Sequence, residues 1–86
     1  MKMIIVIVKD HHSEALTQAL TDAEYRVTGI ASTGGFMRSG VATLLIGVED
    51  AQVDSAVALI RKSVAAASGE KQGMLFVVPV SRFEQV

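Results

Sequence analysis

A chain of 86 residues has room for one domain (residues 1–86) and one small core, burying about 60 to 65% of the surface that its unfolded form exposes. Half of its residues are hydrophobic, more than one face of a small sheet needs, so part of the apolar surface is expected in a contact between subunits. A net charge of −1 gives no positive field for DNA, RNA or an anionic membrane, and the lack of cysteine excludes a disulfide framework and a Cys-ligated zinc site.

The chain opens on Met3-Ile4-Ile5-Val6-Ile7-Val8, a continuous β-branched run that suits a central strand buried on both faces. It is too short for a signal sequence or a membrane span, so a cytoplasmic protein without membrane insertion is expected. Lys9 to Ser13 turns the chain, and a helix is expected from His12 or Ser13 to about Ala23, with Leu16, Ala19, Leu20 and Ala23 on one stripe. Tyr25 to Ser32 alternates as a strand, with Tyr25, Val27, Gly29 and Ala31 on one side and Arg26, Thr28, Ile30 and Ser32 on the other. A second apolar strand follows from Val41 to Val48, and Gly47 inside it signals a bulge or the close approach of something else.

Asp50 is the expected N-cap of a long helix that carries Val53, Val57, Ile60 and Val64 at helical spacing and stops at Gly69. Gly73 to Val80 is the last strand, and Pro79 places it at an edge or near its own end. Ser81 to Val86 is a tail. The order is βαββαβ, an α+β arrangement of the ferredoxin-like type: a four-stranded antiparallel sheet with two helices on one face. The central strands are apolar on both faces, and two helices cover only one, so the bare face predicts a homo-oligomer.

Chemistry concentrates between the second and third strands, in Ala31-Ser32-Thr33-Gly34-Gly35-Phe36-Met37-Arg38-Ser39-Gly40. Thr33-Gly34-Gly35-Phe36 can turn several backbone N–H groups to one side, as an anion requires, because glycine reaches φ > 0 and holds nothing at a distance. Phe36 offers a face for a base, and Arg26 or Arg38 a bidentate contact to phosphate. The same residues also make a hairpin turn whose Phe36 and Met37 enter the core. Arg26 and Thr28 share one strand face and either line a site beside this turn or face solvent. Phe76 and Phe83 are base platforms, or, as an aromatic in an apolar strand usually is, Phe76 is a core residue. His11, His12 and Asp10 would serve a small ferredoxin-like enzyme, but neighbours along a chain point apart and a solvated helix entrance explains them. Nucleophile-elbow, Walker and dinucleotide fingerprints are all missing, and no cofactor is implied.

The start Met1-Lys2-Met3-Ile4-Ile5, the Arg26-Val27-Thr28 strand, the Thr33-to-Gly40 turn, and the Phe76-Val77-Val78-Pro79-Val80 and Phe83-Glu84-Gln85 end resemble the PII-like cyclic-di-AMP receptor family nearly end to end. The resemblance implies a homotrimer with ligand sites at clefts between subunits. It also implies a ligand pocket that draws on Arg26, Thr28, Gly35, Phe36, Met37, Gly47, Phe76 and Gln85, beside Thr33 and Gly34 of the same turn. On it, Phe36 and Phe76 pack beside adenine, Arg26 and Gln85 make polar contacts, and Thr28 with the glycine backbone holds phosphate and sugar. Gly47 leaves room for a base. No bond in the ligand is expected to break, and binding would bias recognition of an unidentified downstream protein.

Three features depart from the family pattern. Glu24 and Val41 stand where the family typically has asparagine, which bears on affinity or base choice, and the link Ser68 to Gln72 is short where the family usually carries a long loop. These departures suit an alternative, a PII-like trimeric interaction module that binds another small anion or nucleotide, or no dinucleotide.

Overall fold

The computed structural model describes residues 1–30, 40–65 and 73–86. In chain order the elements are β1 (Lys2–Lys9), α1 (Asp10–Asp22), β2 (Arg26–Ile30), β3 (Val41–Val48), α2 (Val53–Ala65) and β4 (Gly73–Pro79). The sheet runs β2-β3-β1-β4 with every neighbouring pair antiparallel. This is the ferredoxin-like α+β fold. The two most continuous apolar runs, β1 and β3, take the centre, and β4 with Pro79 as its last residue is an edge, where a missing N–H costs least.

Residues directly opposite one another in the register share a face, so the pairings sort the sheet into two sides. Ile4, Val6 and Val8 of β1 and Leu44, Ile46 and Val48 of β3 are buried with Leu16 and Leu20 of α1 and Ala56 and Ile60 of α2 in one core cluster. Full burial of such a side chain contributes about 1.5–3 kcal/mol relative to exposure. The helices therefore cover one face, as the sequence led us to expect.

Local boundaries differ in ways that have physical causes. α1 begins at Asp10, before the expected His12 or Ser13, because the Asp10 N–H donates to the Gly40 carbonyl at 2.7 Å and the Ser13 hydroxyl donates back to the Asp10 carbonyl at 2.8 Å. His12 is buried beside Leu16 and Leu20, so it is not part of a solvated entrance, whereas His11 and Ala23 are exposed. Asp50 does not cap α2; the cap at this entry is Glu49, at the head of a short turn that precedes the helix. Glu49 and Gln52 form a capping box, with the Glu49 N–H donating to Gln52 Oε1 at 2.9 Å, and Asp50–Gln52 makes a short 3-10 turn ahead of the α-helix. The Asp50 carboxylate instead pairs with the Met1 ammonium at 3.0 Å, which holds its pKa below the usual range. The expected Gly69 stop lies outside the described residues.

Candidate functional site

The sheet face away from the helices is built from rows that cross all four strands. One row is Arg26, Gly47, Met3 and Val78, and the next is Thr28, Leu45, Ile5 and Phe76. Met3, Ile5, Leu45 and Val78 are half-buried with neither α1 nor α2 over them, and Phe76 is 47% exposed. The face is thus apolar in its middle and polar at the β2 edge.

Arg26 and Gly47 are direct partners across the β2–β3 pair, and Thr28 lies two residues along β2 on the same face. All three are exposed. Among the described residues Arg26 enters no ion pair, which leaves its guanidinium fork available to an anion. Gly47 sits in an unbroken register, between Ile46 opposite Ile4 and Val48 opposite Lys2, so the bulge expected as one explanation of it is excluded. Among the described residues, apart from its chain neighbours, a Cβ built on Gly47 would meet only the Met1 Cε, at 3.5 Å, an ordinary van der Waals contact. The protomer itself therefore does not require a glycine here, and the space over it is a hollow beside Arg26.

The other sequence-derived residues are placed less closely. Phe76 shares a row with Thr28 but on the far edge strand, three interstrand spacings or about 14 Å away. Val41 opens β3 opposite Lys9, half-buried and with no polar atom in its side chain. Gln85 is exposed in the segment after β4. Thr33, Gly34, Gly35, Phe36 and Met37, with Arg38 and the Ser68–Gln72 link, lie outside the described residues. Near the start of α1 the His11 and His12 rings are 4.2 Å apart and tilted. Among the described residues no group of three or more His, Cys, Asp or Glu is placed to hold a metal, and no helix is long and apolar enough to cross a membrane.

The structure is thus a ferredoxin-like α+β protomer with an open apolar sheet face and an exposed arginine beside a bare glycine near one edge. Residues 1–69 match the cyclic-di-AMP receptor family, and the chain belongs to it. Arg26, Thr28 and Gly47 fall within the match, while Phe76 and Gln85 lie beyond it. Membership of a receptor family implies a binding role rather than a catalytic one. Among solved structures the chain is similar to a functionally unknown protein from Pediococcus pentosaceus ATCC 25745, with 28% identity, a TM-score of 0.77, and coverage of 99% of this chain and 96% of that one.

Proposed function

We propose that the protein is a PII-like, homotrimeric, non-enzymatic receptor that binds cyclic-di-AMP in clefts between subunits in the cytoplasm and passes the signal to a downstream protein. The observation that carries this reading is the exposed Gly47 hollow beside Arg26. A phosphate held by the guanidinium fork brings an attached base over the Gly47 backbone, which carries no side chain of its own. Thr28 adds a hydroxyl on the same face, and the Thr33–Phe36 turn, entered from Ile30, contributes backbone donors and an aromatic platform. The separation of Phe76 from Thr28 across one protomer favours a site to which a second subunit brings its own Phe76. Nothing in this arrangement calls for a nucleophile or a base, and the ligand acts by shifting a conformational equilibrium.

The test is titration calorimetry with cyclic-di-AMP, with cyclic-di-GMP and ATP in parallel, on the wild type and on Gly47→Ala. The wild type is expected to bind one cyclic-di-AMP per subunit. Gly47→Ala should leave the thermal midpoint unchanged or slightly higher, since the methyl meets no crowded neighbour. Its affinity should fall at least about tenfold, roughly 1.4 kcal/mol. Equal affinity in the variant would remove the ligand from the hollow. A folded wild type that gives heat with none of the three would favour the trimeric interaction module instead, a reading to which the apolar Val41 at the head of β3 lends support.

A further inference from the structure

The hollow over Gly47 has a wall supplied by this same chain. Among the described residues, apart from Gly47 and its two chain neighbours, the only heavy atom within 4 Å of a Cβ at Gly47 is the terminal methyl of Met1, at 3.5 Å. Met1 is 42% exposed, so its side chain lies on the open face without being absorbed into the core. Its backbone is nevertheless tied down at both ends. The amino group pairs with Asp50 at 3.0 Å, and the carbonyl accepts the Val80 N–H at 3.1 Å. Met1 is therefore a flexible apolar arm on a fixed base, reaching beside the bare Gly47 backbone.

We propose that Met1 is a ligand-contacting residue, its thioether forming the movable side wall against which a purine lying on Gly47 packs. The inference rests on the receptor reading above. A planar base that uses the bare Gly47 backbone as its floor meets the Met1 methyl at its edge, and the polarizable sulfur and methyl make favourable contacts with an aromatic edge. An unbranched side chain with several rotatable bonds also adapts to either orientation of the base, which a β-branched residue would not do. The hollow thus gains apolar closure without a rigid lid.

The experiment uses the 86-residue chain with ¹³C-labelled methionine methyls, titrated with cyclic-di-AMP, with the Met1 resonance identified by replacing Met3, Met37 and Met74 in turn with leucine. Calorimetry on the same sample reports whether the ligand binds. The expected result is a saturable ring-current shift of the Met1 methyl, with nuclear Overhauser cross-peaks to adenine ring protons. Binding by calorimetry with an unmoved Met1 methyl and no such cross-peaks would overturn the assignment of Met1 and leave the receptor reading standing. Absence of binding heat from a folded protein would overturn both.

Discussion

Glu24 shows how one residue can carry two meanings. It has φ of 69°, in the left-handed region, immediately after the C-cap of α1. The Glu24 N–H donates to the Thr21 carbonyl at 2.9 Å and the Tyr25 N–H to the Leu20 carbonyl at 2.9 Å, the paired bonds of a Schellman motif. A side chain with a Cβ is costly there, by about 1–2 kcal/mol, and glycine and asparagine are the residues that tolerate it. The asparagine that the family resemblance puts at this position is therefore explained by the backbone, before any ligand is considered. Glu24→Gly should raise the stability of the ligand-free protein by about 1 kcal/mol, read as a higher urea midpoint. Glu24→Asn should raise it by less, and a separate gain in cyclic-di-AMP affinity would show that the carboxylate also opposes the ligand. A lower urea midpoint for both variants would mean that the Glu24 side chain makes a compensating contact.

At the scale of elements, two glycines in strands behave oppositely. A Cβ on Gly73 at the start of β4 would run into the Ile7 carbonyl oxygen and lie 2.8 Å from Val8 Cγ1. Neither atom belongs to the free end of a flexible side chain, so the β1–β4 pair must shift. Gly73→Ala is expected to cost about 1–3 kcal/mol in denaturant unfolding, against no loss for Gly47→Ala. A Gly73→Ala protein as stable as the wild type would mean that β4 slides freely on β1. The sequence marked Gly47 as odd and passed over Gly73 because strand position is visible in a pattern, whereas crowding by a neighbouring backbone is not. The same limit explains the rest. β1, β3 and the edge position of β4 were legible from continuous apolar runs and Pro79, which report burial directly. The start of α1 was missed because it depends on a hydrogen bond to Gly40, thirty residues away. Alternation along β2 put Arg26 and Thr28 on one face, but only the register sets Gly47 beside Arg26, and nothing in the pattern of Met1 placed it beside the hollow.

For the whole molecule the governing fact is that the core is one-sided. The helices bury one face of the sheet, and the other keeps Met3, Ile5, Ile7 and Leu45 half-buried in its centre, with Ile30, Met74 and Phe76 between 43% and 57% exposed at its edges. A small domain gains stability when such a face is covered, and self-association links that gain to concentration. The unfolding midpoint of the wild type should therefore rise with protein concentration, and light scattering should give the mass of three chains. Met74→Glu is the discriminating variant. Met74 lies opposite Ile7 on the open face and is 57% exposed, so a carboxylate there faces solvent in a separate protomer and loses water only when a second subunit covers it. The variant should keep its far-ultraviolet circular dichroism, lose the trimer mass at micromolar concentration, and show a midpoint that no longer depends on concentration. It should also lose cyclic-di-AMP binding, although Arg26, Thr28 and Gly47 are untouched, because a site completed by a second subunit cannot survive in a single one. Retained binding by a monomeric Met74→Glu protein would place the whole site within one protomer and remove the shared cleft from the reading.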